Sequence, residues 1–253
     1  EARLGLTLFN RTTRSVELTP EGARLAPLAR RVIEACESFE REAADLGGSR
    51  ALADETGLAV LSVEYRRVGE AGGGWPGTFH DAAAALDFVD ELVTRTSVSR
   101  RGVIVAGHSA GAHLALWLAA RAGLPPEDPL RTPVRVRPSR VVALGPLPDL
   151  SAVPGTPCGG ALDGLLGPPS LRDLRLRSAS PAARLPLGVP QLLVAGARDR
   201  IAPVALARAY AEKARAAGDS VELVEIPSAG HFELVTPGSA AWPAVLEAFR
   251  RDR

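Results

Sequence analysis

The 253-residue chain has no methionine, not even at position 1, so it does not begin where translation ordinarily begins. The expectation is a fragment or a fusion whose first residues continue a segment now missing. Cysteine is nearly absent too: Cys36 and Cys158 lie far apart, with no metal-ligand spacing around them. That argues against a thiolate metal site, and two reduced, buried thiols are expected, a disulfide between them being the alternative. No apolar run reaches the length needed to cross a bilayer and no secretory leader opens the chain, so a cytoplasmic location is expected. A formal net charge of +1 gives no general attraction to nucleic acid or membranes. Glycines 72–74 form a run without the lysine of a phosphate loop or the spacing of a dinucleotide fingerprint, and read as a mobile loop. No metal or other cofactor is expected. What remains, 46% hydrophobic and 23% charged residues, is an ordinary globular composition. The length suits one α/β domain, or one with an appendage.

Against these absences, residues 107–111 read GHSAG, after the apolar run 103–106 and before the helix-like AHLALWLAAR. Strand, sharp turn and helix are the setting that a nucleophilic serine needs. Glycines flank the turn because it strains the serine backbone and brings helix and strand together. Ser109 would stand at the top of a sheet, with the amide of Ala110 at the positive end of the next helix.

A serine hydroxyl is a poor nucleophile at neutral pH and needs a base, itself oriented by a carboxylate. The chain offers four histidines. His108 and His113 are tied to the elbow and its helix, and His80 opens a helix after the loop 69–77. His231 lies in the loop PSAGHF after the last strand and is the expected base. For the acid, the strand QLLVA runs into GARDRIAP, which puts Asp199 at a strand end level with the elbow. Asp149, after the preceding strand, is the reserve and reads better as a loop cap. Trp75 and His108 are candidate substrate contacts, whereas Trp117, on the helix after the elbow, reads as core.

From Ala51 onward, strands alternate with helices, the pattern of a parallel sheet covered on both faces. Strands are expected at 58–63, 103–106, 141–144, 191–195 and 221–226, and helices near 79–94, 110–122, 203–217 and 240–250. The Pro-, Gly-, Leu- and Arg-rich stretches 123–140 and 146–188 read as loops and a small lid. Residues 1–46 differ. Short strands at 8–10 and 15–18 flank a polar turn. Thr19 fits a helix N-cap before Pro20, and Leu25, Leu28, Val32, Cys36, Phe39 and Ala43 form one apolar stripe. Gly47-Gly48 reads as the linker.

The segment EARLGLTLFNRTTRSVELTPEGARLAPLARRV resembles the end of the recognition helix, the wing and the start of the linker helix of LysR-type transcriptional regulators. The helix-turn-helix body and the effector domain of that family are absent. Arg11 and Arg14 stand where wing residues touch phosphates, but residues 1–46 carry eight acids against seven bases. DNA binding is therefore not expected. The piece reads as a remnant that serves as a packing or dimerising helix, which would make a homodimer.

Residues 51–253 resemble α/β-hydrolase esterases of the kynurenine formamidase-like and feruloyl-esterase-like branch. The carrying stretches are VEYRRVGEAGGGWPGTFHDAAAALDFV, VAGHSAGAHLALWLAAR, SASPAARLP, VPQLLVAGARDRIAP and VEIPSAGHFELVTPGSAAWP. The resemblance implies a metal-free hydrolase of small carboxylic esters or aryl formamides that works through an acyl-enzyme. The order Ser109, Asp199, His231 matches that of the family. The HGG(F/Y)W-type motif, whose strand and amides complete the family's oxyanion hole, has no counterpart. The expected fold is therefore a truncated α/β-hydrolase sheet of about five strands, preceded by a hairpin and a long amphipathic helix. The truncation predicts that strands 58–63 and 103–106 pair directly, the alternative being that each exposes an unpaired edge, and rearrangement, dimerisation or marginal folding is expected. It leaves the Ala110 amide as the oxyanion donor, and loss of one donor costs about a hundred- to a thousandfold in turnover. A catalytically impaired remnant and a regulator fragment are the alternatives to an active enzyme.

Overall fold

A computed structural model describes residues 9–11, 16–96, 98, 102–156 and 158–251. The chain divides into two compact units, Glu1–Leu46 and Gly47–Arg253. In the first, β1 (Phe9–Arg11) pairs antiparallel with β2 (Val16–Leu18). Residues 8 and 12–15 of the expected hairpin lie outside the described residues, as do the side chains of Arg11 and Cys36. The helix α1 (Pro20–Thr56) starts as its sequence dictates: Thr19 Oγ1 accepts the Gly22 amide at 3.0 Å, and proline occupies the first helical position.

The glycine pair 47–48 falls at the boundary between the two units, but the helix runs through it without a break. It lies inside α1, and a Cβ on Gly48 would sit 2.8 Å from the Val235 carbonyl oxygen. Glycine here lets the helix press on another backbone. The helix ends at Thr56, whose hydroxyl donates to the Leu52 carbonyl, and Gly57 follows with φ +67°. Its last turn is docked by Trp242 Nε1, which donates to Glu55 at 2.8 Å.

The second unit holds a parallel sheet in the order β3 (Ile104–His108), β4 (Arg140–Leu144), β5 (Gln191–Gly196), β6 (Val221–Ile226). Among the described residues this sheet has four strands, against about five expected. Residues 58–63 are neither a strand nor paired to β3. The end of this segment is tied to a helix instead. Arg66 donates from N, Nε and Nη2 to Asp81, and the Thr78 hydroxyl donates to the Arg66 carbonyl. Both partners lie in α2 (Gly77–Arg95), so the chain just after this segment is fastened to the helix. Val60, Leu61 and Val63 are left exposed.

The two outer strands differ. On β6, Glu225 pairs with Arg208 and Glu222 with Arg251, the charges that ordinarily keep an edge strand from pairing with another chain. The edge strand β3, Ile-Val-Ala-Gly-His, carries no acid and no lysine or arginine. The inner strand β5 is buried along its whole length and β4 at all but its first residue, as continuous apolar runs in parallel sheets are.

One face of the sheet packs Val141, Ala143, Leu193 and Ala195 against α3 (Ala110–Ala120) and α6 (Val204–Ala216). A second cluster joins Phe79 of α2 to Leu114 and Trp117 of α3. It also takes in Leu124, Leu130, Leu150, Val153, Leu162 and Leu166, so the stretches expected as loops and lid supply core side chains. They include two helices, α4 (Gly159–Leu166) and α5 (Pro169–Ala179). Trp117 is core, as its position implied, and its Nε1 donates to the Ser178 carbonyl at 2.9 Å. A last helix, α7 (Trp242–Arg250), closes the unit. No helix among the described residues is long and apolar enough to cross a membrane.

Candidate active site

Ser109 sits between the end of β3 and the first residue of α3, at φ 55° and ψ −116°. It is the one non-glycine residue with positive φ among the described residues. Such a conformation costs on the order of 1–3 kcal/mol and persists only where its surroundings enforce it. The enforcing bonds are local: the Ser109 amide donates to the Leu144 carbonyl of β4 at 2.9 Å, and its own carbonyl accepts the His113 amide. Gly107 makes the turn possible. A Cβ there would lie 2.2 Å from the Gly111 carbonyl carbon, whereas Gly111 has open space around it. Of the two elbow glycines, the first is the one that packing demands. Ser109 is half-buried, and Ala110 is exposed at the helix start with its amide at the positive end of the dipole.

The acid and the base come from two loops zipped together by their backbones. Arg198 N–H donates to the Ala229 carbonyl at 2.9 Å and Ala197 N–H to the Ile226 carbonyl at 3.0 Å. A Cβ on Gly196 would lie 2.5 Å from the carbonyl oxygens of both Ala229 and Gly230, so this approach needs glycine. The result places His231 Nδ1 2.6 Å from Asp199 Oδ2, with the Asp199 side chain wholly buried and that of His231 4% exposed. Asp199 Oδ1 accepts the amides of Ile201 and Ala202, each at 2.8 Å. Burial pushes this carboxyl up. The bond from His231 and the two amides outweigh it, and the group stays below the usual carboxylate range. A carboxylate can only accept, so His231 Nδ1 carries the proton and Nε2 presents its lone pair.

The base reaches the elbow through two contacts. The His108 and His231 ring centroids are 4.4 Å apart, and Gly145, next to the Leu144 that holds Ser109, would put a Cβ 3.2 Å from the His231 ring. The Ser109 hydroxyl makes no hydrogen bond among the described residues.

The other candidates are placed as follows. His108 Nε2 lies 3.0 Å from the His231 carbonyl oxygen. Trp75 packs edge-on against Phe79 at 5.9 Å, with the Arg175 guanidinium over its face at 5.3 Å. Its loop is tied down, with Trp75 N–H on the Leu165 carbonyl. His80 Nε2 bonds the Pro129 carbonyl, and Asp149 pairs with Lys213 and caps the Ser151 amide. His113 is buried beside Phe79, with Nδ1 on the Leu147 carbonyl at 3.0 Å. Cys158 is half-buried, its sulfur 3.8 Å from the Ile201 carbonyl oxygen. Among the described residues no cluster of three or more histidine, cysteine or acidic side chains could hold a metal. Sequence reasoning missed Gly145 and Gly196, whose signal was a glycine closing each apolar strand.

A family described as the α/β hydrolase fold matches residues 44–158. No curated protein matches the chain in sequence. Among solved structures, a truncated carbohydrate esterase from gut microbiota superposes with a TM-score of 0.67 at 17% identity, over 80% of this chain and 75% of that one. A carboxylesterase from Lactobacillus plantarum gives 0.65 at 18% identity, over 81% and 78%. A thermophilic esterase from Thermogutta terrifontis, with butyrate bound, gives 0.55 at 23% identity, over 74% and 68%. The fold is that of the α/β hydrolases, cut to four parallel strands.

Proposed function

We propose that the protein is a serine hydrolase that cleaves small carboxylic esters through an acyl-enzyme. The observation that carries this reading is the buried 2.6 Å bond between His231 and Asp199, at the sheet end where Ser109 occupies its strained turn. Ser109 Oγ attacks the ester carbonyl and passes its proton to His231 Nε2. Asp199 holds the tautomer and stabilises the imidazolium. The Ala110 amide donates to the oxyanion. The imidazolium then protonates the leaving alcohol, and water enters by the same route in reverse to free the acid and restore Ser109. Aryl formamides would follow the same chemistry, with an amine as leaving group. The names of the three esterases above favour esters.

A second reading has one observation behind it. Among the described residues no further strand lies beside β3, and with it goes the fold's second source of oxyanion amides, so a folded remnant with little turnover would keep every residue named above.

Release of p-nitrophenol from acetyl and butyryl esters, set beside hydrolysis of N-formylkynurenine, tests both. The expected result is ester turnover that Ser109→Ala reduces by about a thousandfold or more. Folded wild type with no Ser109-dependent turnover of either substrate would leave the remnant standing.

A further inference from the structure

We infer that His108 is a positioning residue for the base, acting on the main chain of His231 while Asp199 acts on its side chain. The inference rests on the serine-hydrolase reading for its kinetic consequence, but not for its structural content.

His108 is the last residue of β3, immediately before the elbow, so the strand and the turn fix its backbone. Its Nε2 lies 3.0 Å from the backbone oxygen of His231. A carbonyl can only accept, so His108 Nε2 carries a proton and donates it. This fixes the His108 tautomer from the structure, as the carboxylate of Asp199 fixes that of His231. The two rings lie with centroids 4.4 Å apart and planes inclined by 47°. Phe232 closes the other side, with its centroid 5.3 Å from the His231 ring and 6.2 Å from that of His108.

Residue 231 follows Gly230 and precedes a single short helical turn, 232–234, so no long element holds its backbone. The bond that the ring donates to Asp199 and the backbone bonds to 197–198 hold this loop on the β5 side. The bond from His108, to the carbonyl of residue 231, adds a tie on the β3 side. It ties the loop to the strand that carries Ser109, so the base and the nucleophile are referenced to one element. Misplacement of a catalytic group by about 1 Å can cost about a hundredfold in rate.

The test compares His108→Ala, which removes donor and ring, with His108→Gln, whose amide nitrogen reaches the same carbonyl. Two readouts are taken on the full chain: steady-state hydrolysis of p-nitrophenyl acetate, and the far-downfield proton resonance of His231 Nδ1–H in its short bond to Asp199. His108→Ala is expected to lower kcat by about a hundredfold with KM little changed, and to broaden the resonance by exchange with water. His108→Gln is expected to recover most of the turnover and a sharp resonance. Should the alanine variant not fold, His108→Leu takes its place beside the glutamine variant. Turnover and resonance unchanged in the alanine or leucine variant, or a glutamine variant as impaired as they are, would overturn the inference. If the wild type shows no Ser109-dependent turnover, the serine-hydrolase reading fails separately, and the resonance comparison still decides what His108 does.

Discussion

His113 and Gly145 each carry a consequence that can be measured one side chain at a time. The His113 imidazole is fully desolvated, and burial, partly offset by its bond to the Leu147 carbonyl, pulls its pKa down to about 4 from 6.5. Below pH 6.5 the unfolded chain takes up a proton that the folded chain refuses until about pH 4. Stability is therefore full above 6.5 and falls through that window, by about 3 kcal/mol in total. Denaturant unfolding at several pH values should show this slope, and His113→Gln should remove it. A slope that survives the substitution would assign it to another group. Gly145 has φ +54° and its added Cβ would stand 3.2 Å from Cε1 and Nδ1 of His231. Gly145→Ala should cost about 1–3 kcal/mol in stability and lower kcat well beyond any loss of folded protein. Turnover at the wild-type level per folded molecule would contradict the contact.

Between elements, the α2–α3 packing is fastened by a buried ion pair. The Arg121 side chain is 1% exposed and that of Asp87 16%. Arg121 Nη1 and Nη2 donate to the two Asp87 oxygens, and Nη1 also lies 3.2 Å from Thr132 Oγ1. Asp87 Oδ1 further accepts the amides of Arg135 and Val136, which pins the irregular stretch after α3 to α2. Such a pair is weak evidence for stability when both members are present. Removal of one strands a buried charge. Asp87→Ala should therefore destabilise by about 3–5 kcal/mol, read from chemical denaturation, against a total of roughly 5–15 for a domain. A loss under 1 kcal/mol would mean that water already solvates Arg121.

At the scale of the whole molecule, the sequence made the sheet legible in its apolar runs, at the half-exposed edge β6 (221–226) as well as in the buried centre. The runs 141–144 and 192–195 are continuous and apolar, and β4 and β5 follow within one residue. The run 58–63 is just as apolar, but a strand exists only through its neighbour, and no local pattern reveals that Arg66 and Thr78 anchor this segment to α2. The helices within 146–188 and the unbroken helix through Gly47-Gly48 escape the sequence for a related reason. Glycine and proline content registers local flexibility and is blind to a carbonyl that an added Cβ on Gly48 would meet at 2.8 Å, or to leucines that reach a distant core. Ser109 announced itself through its own turn. Asp199 and His231 were legible as strand-end residues, whereas their meeting depends on Gly196 lying against the 229–230 backbone, a contact across some thirty residues. The role of His108 had a signal: it is the last residue of the strand that carries the elbow.

The measurement that bears most directly on the whole is covalent: exposure of the folded protein to a fluorophosphonate, followed by mass mapping. The account predicts one adduct per chain, on Ser109, that disappears in Ser109→Ala and is strongly slowed when His231 is replaced. A folded protein that takes up no label, or takes it up elsewhere, would contradict it.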